Sequence, residues 1–330
     1  MLHTTNKTDI FSVICLLTLT AFASSPLISI AGARTGLLLW FNNIVPTLLP
    51  FITIINLLDR LGGFILFRHI FGLFFQKILH LNPYYASVVI PGIICGYPSG
   101  AVCAVNMYDS GIINQHECEF LCIISSFISP MFLSGYVLTA QKGNIYNILA
   151  IIISVYAPRI ILLPIYKKMY HIKCPDSYSQ IDYSDFNIKD NIKDKVKDKV
   201  KDKVNLISLI DDAITSSFQI ILKVGGYIIM CSVLTEYIIR LSFKTPAIKA
   251  LILCIVEITN GINYTYSVIN IPIICNLIIV MSICFSGICI NMQVLGVSKK
   301  AGINSFHYLL SKLCESILGG IIYIIYICFV

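Results

Sequence analysis

The chain has 330 residues, 57% of them hydrophobic and 12% charged, with a mean hydropathy of +0.82. A soluble domain carries about 25% charged residues, so the composition excludes an ordinary water-soluble core and fits a chain made for lipid. The formal net charge of +7 is not a nucleic-acid footprint, because ten of the lysines lie from Lys167 to Lys203; in a membrane protein such a cluster marks the cytoplasmic side.

The apolar segments run 10–31, 36–58, 62–80, 84–105, 117–138, 145–166, 219–242, 246–261, 266–292 and 305–330. They predict an all-α polytopic membrane protein of about 8–10 segments, several long enough to span a bilayer. The first has features of a signal peptide, with Lys7 ahead of the run and Ala21-Phe22-Ala23 as a cleavage-like site. Its apolar length of about 22 residues favours a retained helix. Pro46 and Pro50 are expected to kink the second. The 13 cysteines fall mostly in apolar runs, without CxxC pairs or Cys/His clusters, and read as small packing residues.

Residues 167–204 form a charged cytoplasmic linker that ends in a Lys-Asp-Lys-Val array over 189–204. Such alternation suits a solvated helix or a disordered linker. Residues 205–218 then read as an amphipathic helix at the interface. The chain divides into two N-terminal membrane helices (1–61), a first repeat (62–166), the linker, and the amphipathic helix with a second repeat (205–330). Each repeat runs as a plain helix, a broken segment, a segment with a weak point and a closing helix. If every segment crossed, Lys299 and Lys300 would lie outside. A re-entrant segment 246–261 returns them to the cytoplasm, and an odd number of crossings per repeat is what inverted repeats require.

The breaks are where chemistry is expected, because irregular backbone at membrane depth survives only against protein or a wet cavity. In Gly96-Tyr97-Pro98-Ser99-Gly100, a half-helix starting at the proline would offer free N–H groups to an anion, or the motif is a simple proline kink. In Glu257-Ile258-Thr259-Asn260-Gly261 a glutamate lies deep in an apolar stretch, and Asn260-Gly261 reads as a helix C-cap. That set could hold a proton, Na⁺ or a donor group of a solute. The weak points are Ser129-Pro130 and Ser286-Gly287, the latter followed by the amides Asn291 and Gln293. Arg159, beside Pro158, could neutralise Glu257, meet an anionic solute or snorkel. Glu236 and Arg240 are placed to pair along one helix. His307, Lys312 and Glu315 are expected at the interface. No His spacing fits a metal site, no cofactor motif is present, and no Walker A, GxSxG, HExxH or kinase signature is found, so neither an ATP-driven pump nor an enzyme is expected.

Cys95-Gly96-Tyr97-Pro98-Ser99-Gly100-Ala101, Ser129-Pro130-Met131-Phe132, Glu257-Ile258-Thr259-Asn260-Gly261 and Phe285 to Gln293 resemble, in order, the motifs of the YlbJ-type sporulation integral membrane proteins. Ser125 and Ser126 stand where that pattern has asparagines, Ser286 where it has glycine and Cys289 where it has serine. The resemblance implies the nucleoside-recognition (Gate) domain, a place in the outer forespore membrane of the mother cell, and transport of dipicolinic acid. Two other functions are left open: a nucleoside or cation-coupled transporter of the same architecture, and a non-transporting sporulation scaffold. The expected partners are membrane lipid, a small anionic solute and a coupling H⁺ or Na⁺, without nucleic acid; an oligomer is compatible with the sequence.

Overall fold

The computed structural model describes residues 7–138, 145–172 and 206–329; the array over 189–204 lies outside them. Among the described residues every regular element is helical, and five helices are long and apolar enough to cross a membrane. The fold is that of an all-α polytopic membrane protein.

Helix α1 is Lys7–Ser24 and α2 is Pro26–Leu39. The boundary therefore falls at Ser25-Pro26 rather than between residues 31 and 36, because Ser25 is non-helical and Pro26 opens a new first turn. A π-helical turn, Trp40–Ile44, leads into α3, Val45–Arg60. It precedes Pro46, whose missing N–H disrupts the regular ladder there. Gly32 and Gly36 do not end α2; a Cβ on either would lie within 2.8 Å of the Cα of Val233 or Ile229, so they let α2 pack closely on the helix that carries those two residues. Helix α10, Leu206–Arg240, is one continuous 35-residue element. The amphipathic segment 205–218 is thus not a separate interfacial helix. Its Ala213 and Ser217 are buried, and Asn56 donates to Ser217 Oγ at 2.9 Å.

Helix α4, Phe64–Lys77, has 14 residues, about 21 Å, too short for a ~30 Å core. The segment 62–80 does not cross. Both its ends lie on one side: the Phe64 carbonyl accepts from Ser87, and Lys167 donates to the Leu79 and His80 carbonyls at 3.2 and 2.8 Å. A 3₁₀ turn, Pro83–Tyr85, leads to α5, Ala86–Cys95, and α6, Ser99–Asp109. These two fold back as a hairpin, with Ser99 Oγ donating to the Pro91 carbonyl. Helix α7, Gln115–Ile124, opens on a reciprocal cap between Asn114 and Glu117. It gives way to an extended stretch, then to α8, Pro130–Phe132, and a π-helical turn, Leu133–Leu138. Helix α9, Ile145–Met169, closes the first half.

After α10, a second hairpin is made by α11, Pro246–Val256, and α12, Ile258–Val268. Cys254 and Thr265 touch across it at 3.7 Å, although eleven positions apart in sequence. Helices α13, Pro272–Phe285, and α14, Gly287–Val297, are joined through the left-handed residues Ser286 and Gly287. Helix α15, Ser305–Phe329, follows a 3₁₀ turn, Ser298–Ala301.

Contacts sort the helix ends by side. Tyr170 donates to Glu119 at 2.8 Å, His307 lies 3.6 Å from the same carboxylate, Gln115 donates to the Gly302 carbonyl, and Asn106 to Asp59. The ends of α3, α6 and α9 and the starts of α7 and α15 thus share one face, with Lys299 and Lys300. By the positive-inside tendency, the lysine-rich sequence that begins at Lys167 would put that face on the cytoplasmic side. The α5–α6 hairpin enters from it. The α11–α12 hairpin enters from the opposite face, where Tyr266 donates to the Val137 carbonyl and Lys249 caps the Ile239 and Leu241 carbonyls.

Candidate functional site

The tips of both hairpins, the α7–α8 break and the helix that follows the second break meet around one cavity of about 290 Å³, near the lower end of ligand-pocket volumes, ~300 Å³. The first hairpin supplies Cys95, Gly96 and Tyr97; the α7–α8 break supplies Ile128 and Ser129; the second hairpin supplies Glu257, Ile258 and Thr259; α14 supplies Cys289, Ile290 and Gln293.

The local geometry follows from residue type. Gly96 has φ +77°, and a Cβ there would lie 2.9 Å from the Ser129 N, so a glycine is needed where the first tip meets the first break. Gly287 has φ +66°, and its missing Cβ leaves room for the Cys254 carbonyl at 3.1 Å, the corresponding approach in the second half. Ser129 caps α8, accepting from the Phe132 N–H at 3.1 Å, with Pro130 in its first turn. Ser286, at φ +73°, donates to the Tyr97 hydroxyl at 2.6 Å, joining the first tip to the second break.

Glu257 is 2% exposed. It sits in extended backbone between α11 and α12, and its carboxylate accepts from the Thr259 and Asn260 N–H groups at 3.0 and 2.7 Å. Glu257 is therefore itself the break, and it caps the helix that follows. Asn260-Gly261 are not a C-cap but the first turn of α12. A carboxylate is a strong N-cap acceptor, and its charge also favours the helix dipole. Asn260 donates to Ser232 and Thr235 at 3.1 and 3.3 Å, fixing the hairpin to α10, and Gly261 packs against the Cys254 backbone.

The sequence-selected residues thus divide. Gly96, Tyr97, Ser129, Glu257, Thr259 and Gln293 line the cavity. Pro98, Ser99, Gly100, Pro130, Asn260, Gly261, Ser286, Gly287 and Asn291 support it from behind: Ser99 Oγ donates back to the Gly96 carbonyl at 2.5 Å, Gly100 packs against Ser125, and Asn291 donates to the Phe285 carbonyl. The cavity also contains Asn42 and Asn43, from the π turn before Pro46, and Gly135 and Tyr136, from the π turn after Pro130. Sequence reading missed these. An Asn-Asn pair four residues ahead of a membrane proline was the available signal, since π turns recur at functional sites.

Arg159 is not a partner of Glu257. Its guanidinium grips Glu315 through two bonds, of 3.2 and 2.5 Å, and stacks on Phe127 at 4.2 Å. Lys312 donates to the same carboxylate at 3.0 Å and to the Ser126 carbonyl at 3.4 Å. Lys312 and Glu315 are 0% and 1% exposed and so are not interfacial; with Arg159 they form a buried cluster with two formal positive charges and one negative. The expected Glu236–Arg240 pair is present at 3.1 Å. The stretch from Ser125 to Ser129 is a partition: Ile128 and Ser129 face the cavity, while the Ser126 carbonyl and the Phe127 ring face the ion cluster.

Among the described residues lining the cavity there is one carboxylate, Glu257, and no Lys, Arg or His. The amides of Asn42, Asn43 and Gln293, several hydroxyls and the rings of Tyr97, Phe132 and Tyr136 are set in a wall that is otherwise largely aliphatic, with Ile44, Leu48, Ile128, Val224, Ile228 and Ile258 among its residues. No cluster of His, Cys, Asp and Glu among the described residues has the makings of a metal site.

A comparison with curated proteins finds similarity to the sporulation integral membrane protein YlbJ of Bacillus subtilis (strain 168), 26% identical over 213 residues, which are 64% of this chain and 52% of that protein. The chain thus spans about half the length of the curated relative it matches. The resemblance read from the motifs is borne out by this match. No family model matches the chain, and no solved structure matches it.

Proposed function

We propose, for a chain of YlbJ-type sequence in an all-α membrane fold, that it is a sporulation-associated transporter or facilitator whose solute binds where the two hairpin tips and two helix breaks meet. The observation that carries this is the convergence itself: hairpins entering from opposite faces bring their tips, and two discontinuous helices, to one cavity. Transporters built as inverted repeats bind substrate at such a place and alternate access by rocking one repeat against the other. Here the repeats are 62–166 and 205–330, both of Gate type.

The solute that the family resemblance favours is dipicolinic acid, and the membrane is the outer forespore membrane. The lining constrains how it is held. Lacking a base, the cavity accepts the solute with its two carboxylates neutralised by H⁺ or Na⁺, and Glu257 with nearby carbonyls helps to hold these cations. Tyr97 and Tyr136 flank the ring. Glu257 also supports a second reading, a cation-coupled nucleoside transporter, since nucleosides need no base.

The test is flux in proteoliposomes. Folded protein moves dipicolinate into vesicles faster than empty vesicles take it up, and an imposed proton or Na⁺ gradient accelerates it. Glu257→Gln, which keeps a capping oxygen, loses the gradient dependence. Folded protein that passes uridine but not dipicolinate would assign the nucleoside reading; passing neither would remove transport as the function.

A further inference from the structure

A second groove, of about 740 Å³, opens at the cytoplasmic ends of α4 and α9. It is separate from the solute cavity, and nothing in the proposed transport reaction uses it. Its polar lining is basic: His80 from the end of α4, and Lys167, Lys168 and His171 from the end of α9. None of its described lining residues is Asp or Glu. Its walls are apolar, with Ile78 64% and Ile160 63% exposed on the outer surface.

The backbone marks the groove as more than a chance gathering of lysines. Among the described residues, non-glycine side chains with positive φ occur at three positions: Ser286 at the central break, His80 at +50° and His171 at +52°. The last two line this one groove. His171 ends α9 in a left-handed turn, with the Ile172 N–H returning to the Lys167 carbonyl at 2.9 Å and the His171 N–H to the Lys168 carbonyl. Glycine is the usual residue at that turn position. An imidazole in each place is a backbone strain that glycine would relieve, and strain of this kind collects at binding sites.

The setting selects the ligand. Helix α4 lies along the cytoplasmic face with Leu66, Ile70, Leu73, Phe74 and Ile78 exposed. Their spacing is that of one helix stripe, as in an interfacial helix dipped into the acyl layer. A ligand between α4 and α9 therefore meets acyl chains on its outer side and basic groups on its inner side. We propose that this groove binds the headgroup of an anionic phospholipid of the cytoplasmic leaflet. The Lys168 ammonium and the imidazole N–H groups of His80 and His171 contact the phosphate, while Lys167 holds the two helix ends together. Basic pockets beside membrane helices on this side recognise such headgroups.

The test is retention of defined lipids by the full-length protein in native mass spectrometry, comparing phosphatidylglycerol with phosphatidylcholine. Wild type retains phosphatidylglycerol preferentially. Lys168→Gln lowers that preference about fivefold, the effect of one interfacial lysine. His80→Gly with His171→Gly lowers it further while unfolding at the same or a higher temperature, because glycine accepts positive φ freely. Equal retention of the two lipids by wild type would overturn the proposal, as would unchanged preference in a variant combining Lys168→Gln, His80→Gly and His171→Gly. Displacement of phosphatidylglycerol by inorganic phosphate would assign a soluble anion instead. A gain in retention on deleting residues 188–204 would assign the groove to the chain's own segment.

Discussion

Glu315→Gln destabilises the protein by about 3–5 kcal/mol, as expected when one member of a buried ion cluster is removed. Glu315 is the single anion between Arg159 and Lys312, and its carboxylate takes three bonds from them. The glutamine leaves two buried positive charges facing each other without a counter-charge. A neutral cluster of similar volume is a different matter, because well-packed apolar groups often match or exceed a buried ion network. The triple variant Arg159→Met, Lys312→Met, Glu315→Met therefore recovers most of the loss. Unfolding of the purified proteins in one detergent measures both. A single variant within about 1 kcal/mol of wild type would show the cluster to be solvated, the range of an exposed pair.

Gly92→Ala and Gly261→Ala each cost about 1–3 kcal/mol or more, the range for overpacking a filled interior. A Cβ on Gly92 would lie 2.3 Å from the Ser125 carbonyl oxygen, and one on Gly261 2.4 Å from the Cys254 N and Cα. Both partners are backbone, so no side-chain rotation relieves the clash. The first substitution pushes the α5–α6 hairpin from the α7 break; the second opens the α11–α12 hairpin. Gly135→Ala and Gly226→Ala are the controls, since a Cβ at either position meets nothing within 4 Å. The expected result is a clear gap between the two pairs in unfolding temperature. Similar values for all four would mean that the hairpins are not packed at those glycines.

Much of the framework was legible because membrane depth makes broken helices conspicuous. Gly96-Tyr97-Pro98 and Glu257 stand out in apolar runs, and both are turning points in the structure. The role of Glu257 was less legible. Asn260-Gly261 has the composition of a helix end, but a carboxylate three residues earlier captures the Asn260 N–H and starts a helix there instead. The course of α4 was hidden, because the apolar run 62–80 is long enough to read as a crossing, whereas the helix formed within it has only 14 residues. The ion cluster was half-seen. Arg159 was conspicuous as a base within a segment, but its partner lies 156 positions away, and no local pattern specifies that contact. Lys312 and Glu315 sit at i, i+3 and a few turns inside a 25-residue helix, a depth that was itself the overlooked signal. Asn42 and Asn43 reach the cavity only because a π turn re-aims them.

If the solute is held at the cavity between the two hairpin tips, as proposed, the cysteines there offer a direct measurement. Cys95 and Cys289 line the cavity, whereas Cys254 is packed inside the α11–α12 hairpin against Gly261 and Thr265. Variants retaining one of these three cysteines each, treated with a small thiol reagent with and without dipicolinate, separate the possibilities. Slower labelling of Cys95 and Cys289 with dipicolinate, and no change at Cys254, is the predicted result. Unchanged labelling of Cys95 and Cys289 at saturating dipicolinate, in protein that transports it, would place the solute elsewhere.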